Sequence, residues 1–202
     1  MVFWLNEVRD MNRTKLVVAL IVVIGIGAGI WTFGFYPVAR INDEIMWYRT
    51  YSNRAGALLQ FESKSRLAAG AGQLSETEQN TVKKAILENL IAEVIFRQYI
   101  DAHTALAGLN ETAHAVVQSS LKEANPDVLP RAAKELYGWS VEELTENVLF
   151  PQAMQNELRK EIEKDGALFE EFAKTQLQNA QVKLYIVPWK WENGRLAEKF
   201  SS

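Results

Sequence analysis

The sequence predicts a mainly α-helical domain behind one N-terminal transmembrane helix, with a long central helix and a small two-strand element. Three observations support this fold class. Residues 81–103 carry apolar side chains at helical spacing, residues 16–36 contain no charged side chain, and two stretches match the helix capping box. The two boxes pair a serine with a glutamate three positions later, at Ser75–Glu78 and at Ser140–Glu143.

The central helix is predicted from two rows of apolar residues that lie side by side on one face. One row repeats every four residues, and the second row is shifted by one position: Ile86, Leu90 and Val94, then Leu87, Ile91 and Ile95. A helix that begins near Ser75 and ends near His103 is about 40 Å long at 1.5 Å per residue. Such a helix cannot bury its own stripe, so we expect the shorter helices before and after it to pack on it.

Residues 16–36 form an uncharged run whose length matches a hydrocarbon core of about 30 Å. The alternatives are a buried core helix and a cleaved signal peptide. The apolar region of a signal peptide is usually about 7–15 residues long, whereas this run is longer and ends in the aromatic residues Trp31, Phe33, Phe35 and Tyr36. Aromatic residues are enriched at membrane interfaces. We therefore expect an uncleaved anchor that contacts the lipid bilayer.

The charges that flank the run favour a cytoplasmic N-terminus. Arg13 and Lys15 precede the run closely, whereas only Arg40 follows it at a similar distance. The sequence thus predicts a single-pass protein of the cell membrane whose C-terminal domain lies outside the cytoplasm. Gly25 and Gly29 form a GxxxG pair, which would allow a homodimer through the membrane helix.

The rest of the chain is divided by turn and capping residues. Gly138 is expected to end one helix, and Pro151 to bend the next, because proline removes a backbone donor and clashes with the preceding turn. The predicted elements are a strand and turn over 38–45, helices over 47–64, 110–124, 128–137, 141–164 and 168–177, and a strand over 182–191. The predicted domains are an N-terminal tail (1–15), the anchor (16–36), a helical domain (37–191) and a C-terminal tail (192–202).

Composition excludes several function classes. The net charge is −3, whereas a nucleic-acid-binding protein usually has a strong basic excess. The chain has no cysteine, so thiol catalysis and thiolate metal sites are ruled out. His103 and His114 are the only histidines and do not have metal-ligand spacing. No nucleophile elbow, dinucleotide fingerprint or phosphate-binding loop is present. We expect neither an enzyme nor a protein with a cofactor or a metal.

Three stretches carry a resemblance to a known family. They are the strand and turn Ala39–Ile45, the long helix with Ile86–Glu93 and Gln98, and the helix entry Tyr137–Leu144. Together with the closing helix and strand over 169–186, they resemble the N-terminal chaperone domain of the SurA/PrsA/PpiD family of extracytoplasmic foldases, which is also trigger-factor-like. The likeness covers most of residues 37–187.

The chain departs from that family at one junction. Family members commonly carry a parvulin prolyl-isomerase domain between the last two helices, whereas only Lys164–Ala167 lies there in this chain. The resemblance therefore implies a chaperone-like function without isomerase activity, with unfolded or nascent secreted polypeptides as partners. The alternative is a structural or assembly subunit for one fixed envelope partner.

The candidate client-binding residues are large and adaptable apolar side chains outside the two rows of the central helix. Aromatic and methionine side chains provide extensive contacts with little directional requirement. The candidates are Trp47, Tyr51, Trp139, Phe150 and Met154.

Overall fold

The structure, a computed structural model, describes residues 34–164 and 166–199 and is mainly helical. Most of the predicted anchor, the pair Gly25–Gly29 and the predicted N-terminal tail lie outside the described residues. Within 34–164 and 166–199, no helix combines the length and the apolar character needed to cross a membrane.

The described residues form helices and five short strands in the following order. Strands β1 (Pro37–Ile41) and β2 (Glu44–Trp47) precede helices α1 (Tyr48–Ala68), α2 (Glu76–Ala102) and α3 (Leu109–Glu123). Helix α4 (Leu129–Ala132) continues into a π-helical turn, Ala133–Tyr137, and α5 (Val141–Leu144) leads through another, Thr145–Leu149, into α6 (Phe150–Lys164). Helix α7 (Phe169–Asn179) and strands β3 (Val182–Leu184), β4 (Trp189–Glu192) and β5 (Arg195–Glu198) follow.

Helix α2 has the predicted start and the predicted buried face. The Ser75 hydroxyl accepts the backbone N–H of Glu78, and the Glu78 carboxylate accepts the N–H of Ser75 at 2.8 Å. Both bonds satisfy amides that have no partner within the helix. The buried residues of α2 are Ile86, Leu87, Leu90, Ile91, Ile95, Phe96 and Ile100, and they form the centre of the main core.

Strand β1 is the middle strand of a three-stranded antiparallel sheet with the order β2-β1-β3. Asn42, in the tight turn after β1, has a φ of +52°, a conformation that asparagine tolerates better than most residues. Its backbone N–H donates to the Gln181 carbonyl at 2.7 Å, and its side-chain oxygen accepts the Gln181 N–H at 3.0 Å. Its side-chain amide donates to the Gln98 side-chain oxygen at 2.6 Å. Asn42 thus joins the turn to α2 and to the start of β3.

The C-terminal segment differs from the prediction of one strand over 182–191 and a tail from 192. The extended segment is interrupted between Leu184 and Trp189, and β4 then pairs with β5 across Asn193–Gly194, where both residues have a positive φ. An Asn-Gly pair is the typical turn of a two-residue hairpin. Leu196 of β5 is buried, and its N–H donates to the Glu88 carboxylate of α2 at 2.7 Å. The expected tail is therefore part of the core.

The helix predicted over 141–164 is interrupted ahead of Pro151 by the π-helical turn Thr145–Leu149. In a regular helix the proline ring would clash with the carbonyl four residues earlier, at Asn147, which lies within this turn. The Ser140–Glu143 capping box is present at the start of α5, as predicted. Gly138 ends the preceding π turn with a φ of +75°, which also agrees with the sequence.

Candidate functional site

A cavity of about 1180 Å³ lies between β2, α1, α2 and the segment that leads into α6. We call it the central cleft, and α2 supplies the largest share of its lining. Small-molecule sites usually enclose about 300–1,000 Å³, so the central cleft is larger than such sites. Its large apolar lining residues are Ile45, Met46, Trp47, Leu58, Ile86, Leu90, Val94, Phe96, Ile100, Val148, Phe150 and Met154.

The cleft extends to the protein surface at β2. The side chains of Ile45 and Trp47 are 47% and 44% exposed, which is unusual for large apolar residues that flank a cavity. In the part of the lining that leads into α6, the Phe150 ring stacks on the His114 ring with centroids 4.2 Å apart. Met154 is half-buried beside Phe150 and also contacts the main core. The cleft therefore presents apolar surface from two separate elements.

Two ion pairs lie within the lining of the cleft. Nη1 of Arg54 on α1 contacts both carboxylate oxygens of Glu93 on α2, at 2.5 and 2.6 Å. Arg97 of α2 pairs with Glu44 of β2. Each pair connects α2 to an element on one side of the cleft and so helps to fix its width. The side chain of Arg54 is buried, whereas the Glu93 side chain is 32% exposed.

The structure places the five candidate client-binding residues in two groups. Trp47, Phe150 and Met154 line the central cleft together. Tyr51 and Trp139 are 6% and 3% exposed and lie in the core, away from the cleft wall. These two positions are a correction to the sequence analysis. Their helical spacing and size are equally compatible with packing, and both side chains are buried in packed cores outside the cleft lining.

Tyr51 packs in the main core, and Trp139 packs in a separate, smaller one. Trp139 packs with Ala57, Ala133 and Leu144 in a small core of its own, and its indole N–H donates to the Asn53 side chain at 3.3 Å. Burial raises the pKa of Tyr51 to about 12, so its phenol is neutral across the physiological range.

Ile45, Arg54 and Glu93 are among the cleft residues that sequence reasoning did not identify. Ile45 follows the tight turn at 42–43 in a short strand, where an apolar residue is expected to face the core. Arg54 lies among apolar residues on α1, and an arginine within an apolar stripe indicates a buried partner of opposite charge. Its partner, Glu93, could not be identified from sequence because the two residues are 39 positions apart.

Among the described residues, no group of three or more histidine, aspartate or glutamate side chains is arranged to hold a metal ion. No protein-family model, curated protein or solved structure matches this chain.

Proposed function

We propose that this protein is a chaperone-like module that binds unfolded polypeptide segments in the central cleft without ATP. The observation that carries the proposal is the exposure of Ile45 and Trp47 in the lining of a cleft that also contains Phe150 and Met154. Exposed apolar surface that flanks a large groove is typical of sites that bind other polypeptides.

The energetics favour an extended segment over a single side chain. Burying one valine- or leucine-sized side chain contributes about 1.5–3 kcal/mol, whereas association itself costs on the order of 4–15 kcal/mol. Several apolar side chains must therefore be buried together. The flexible thioether of Met154 and the flat ring of Phe150 accept different side chains with little directional requirement. This chemistry supports broad rather than narrow selectivity.

Two further parts of the proposal rest on the sequence. We propose that residues 16–36 anchor the protein in the cell membrane and that the helical domain lies outside the cytoplasm, where secreted chains are unfolded. We also propose that the protein has no prolyl-isomerase activity. In support, the connection from Lys164 at the end of α6 to Phe169 at the start of α7 is short, which leaves no room for an inserted isomerase domain.

An aggregation assay tests the proposal. The full chain in lipid nanodiscs should slow the aggregation of a chemically unfolded client in the absence of ATP, and empty nanodiscs should not. The double variant Trp47→Ser/Phe150→Ser should lose most of this effect. Leu67→Ser is the matched control, because Leu67 is 58% exposed and does not line the cleft.

The alternative function, assembly of one fixed envelope partner, predicts a different outcome. The full chain would then leave the aggregation of unrelated clients unchanged and would co-purify with a single protein in a fixed ratio. Normal suppression of aggregation by the Trp47→Ser/Phe150→Ser variant would also contradict the proposal, because it would show that the cleft is not the binding surface.

A further inference from the structure

Strand β2 is an edge strand that borders the central cleft. It pairs with β1 on one side, and no strand among residues 34–164 and 166–199 pairs with its other side. All four of its residues line the cleft. An unpaired edge presents a row of backbone donors and acceptors that can add another strand.

The hydrogen bonds of the sheet show which backbone groups of β2 face outward. Tyr48, directly after β2, donates its N–H to the Tyr36 carbonyl at 2.8 Å, on the β1 side. Backbone groups alternate in direction along a strand. Glu44 and Met46 therefore face β1, whereas Ile45 and Trp47 face the open edge. The register of β1 is consistent with this assignment. Arg40 lies opposite Ile45 of β2 and is paired with Lys183 of β3 on the other side of β1.

The outward-facing residues are also those with exposed apolar side chains. Ile45 and Trp47 lie two positions apart on one face of the sheet, while Met46 between them is 6% exposed and packs into the core. In an antiparallel pair, a residue that exchanges hydrogen bonds with Ile45 has its side chain on the same face as Ile45. A strand added at this edge would thus place the side chains of its hydrogen-bonded residues beside Ile45 and Trp47, on the face of the sheet opposite to Met46.

The charges of the cleft indicate which flanking residues a bound segment would carry. Glu93 and Glu44 are paired with arginines. The remaining carboxylates of the lining, Asp101 and Glu146, form no ion pair with the residues that the structure describes. Unpaired carboxylates beside an apolar surface favour a ligand with lysine or arginine near its apolar residues.

We propose that the central cleft binds its polypeptide ligand by strand addition, with an extended segment pairing antiparallel to the outer edge of β2. The segment has apolar residues at alternate positions and a lysine or arginine at its ends. The backbone N–H and C=O of Ile45 and the N–H of Trp47 form the hydrogen bonds. This inference rests on the proposed function and specifies how the same site recognises a segment without reading its full sequence, because backbone bonds are common to all polypeptides.

Three synthetic peptides test the inference without altering the protein. The parent peptide is a fluorescent Lys-Val-Ser-Val-Ser-Val-Ser-Lys, and two derivatives carry N-methyl groups on the valines or on the serines. Methylation removes backbone donors and leaves the side chains unchanged. In the proposed antiparallel pairing, the valines lie opposite Ile45 and Trp47, and their backbone groups form the hydrogen bonds with β2. Methylating the valines should therefore weaken binding to the full chain by about tenfold or more, which corresponds to about 1.4 kcal/mol. Methylating the serines should have little effect.

The possible outcomes separate this inference from the proposed function. Equal binding of the two methylated peptides, or a loss confined to the serine-methylated peptide, overturns antiparallel strand addition while polypeptide binding in the cleft stands. Failure of the parent peptide and of unfolded clients to bind at all overturns both. Binding that does not weaken when the terminal lysines are replaced by glutamates contradicts the charge preference and therefore the ligand chemistry proposed here.

Amide hydrogen exchange provides a second measurement on the same complex. Exchange at Ile45 and Trp47 should slow when the parent peptide is added, whereas exchange at Met46 should change little because its N–H faces β1. Unchanged exchange at Ile45 in a saturated complex would overturn the inference. Protection of Ile45 before any peptide is added, in a chain that sediments as a dimer, would assign the edge to a second copy of the protein and overturn the inference as well.

Discussion

Arg54 and Glu93 connect α1 to α2 through a bidentate contact of one guanidinium nitrogen with both carboxylate oxygens, at 2.5 and 2.6 Å. Arg54 is 7% exposed, and its Nε has no hydrogen-bond partner among the described residues. Glu93 is therefore the counter-charge that makes burial of this arginine tolerable. The pair also lines the central cleft, so its loss would affect both stability and the spacing of the cleft walls.

Glu93→Ala should destabilise the protein because it leaves a buried cation without a partner. Removing one member of a fully buried pair costs about 3–5 kcal/mol, and we expect about 1–3 kcal/mol here because the carboxylate is partly exposed. The free energy of unfolding from urea titration measures the effect. Asp43→Ala, which breaks the exposed pair of Asp43 with Arg40, is the control and should change it by less than about 1 kcal/mol. Equal effects of the two substitutions would contradict the assigned role of Glu93.

Leu90→Ala should remove about 2–5 kcal/mol from the free energy of unfolding, the usual range for a buried leucine. Leu90 is 4% exposed and lies in the main core. Leu67→Ala is the matched control, since Leu67 is 58% exposed and should change stability by no more than about 0.5 kcal/mol. Similar melting temperatures for the two variants would show that the face of α2 is not buried as described.

Stability should fall in acid partly through Glu78. The hydrogen bond from Arg66, with those from the Ser75 hydroxyl and backbone, lowers the pKa of Glu78 from 4.5 to about 2. A carboxyl whose pKa is lower in the folded state stabilises it above the unfolded pKa, and this contribution is lost as pH falls from about 4.5 to about 2. Glu78→Gln should therefore weaken the pH dependence of unfolding in that window.

Arg66→Gln provides a check on the cause of the Glu78 shift. Because Arg66 makes the largest contribution to the lowered pKa, its replacement should weaken the same acid dependence while leaving the capping box in place. An acid transition that is unchanged in both variants would exclude this carboxyl as a source of acid sensitivity.

The two groups of aromatic residues should respond differently to truncation. Trp139→Ala should lower stability by about 3–5 kcal/mol, as is usual for a buried tryptophan. Trp47→Ala should change stability much less, because Trp47 is 44% exposed, but should reduce client binding. Thermal unfolding and client binding, measured for both variants, separate the two effects. A parallel loss of stability and binding in Trp47→Ala would assign Trp47 to the core.

The orientation of the protein can be tested by protease protection. A protease added to intact spheroplasts should digest the helical domain if residues 16–36 cross the membrane with the N-terminus inside. Complete protection would contradict this orientation. A shortened, soluble product that begins after residue 36 would instead show that the segment is a cleaved signal peptide.

The parts of the fold that could be predicted from sequence depend on local interactions. The Ser75 and Ser140 capping boxes are completed within four residues, and Gly138 ends its helix through its own backbone conformation. The buried face of α2 follows from helical periodicity. These features are confirmed because each is decided by residues close together in the chain.

The features that sequence could not provide depend on distant contacts. Nothing local distinguishes Trp139, which packs in a core, from Phe150, which lines the cleft, because the neighbouring helices decide which ring is covered. The exposure of Ile45 likewise depends on its strand being at the edge of the sheet. The β4–β5 hairpin is different, since Asn193–Gly194 is a turn pair visible in the sequence.

The bond between Asn42 and Gln181 has a consequence for how the protein is made. The two residues are 139 positions apart, and β1 pairs with β3 only after both have been synthesised. At about 5–20 residues per second, translation of the intervening chain takes roughly 7–30 s. During that interval β1 is paired with β2 on one side only, so a nascent chain that ends before residue 182 exposes the edge of β1 to pairing with other chains.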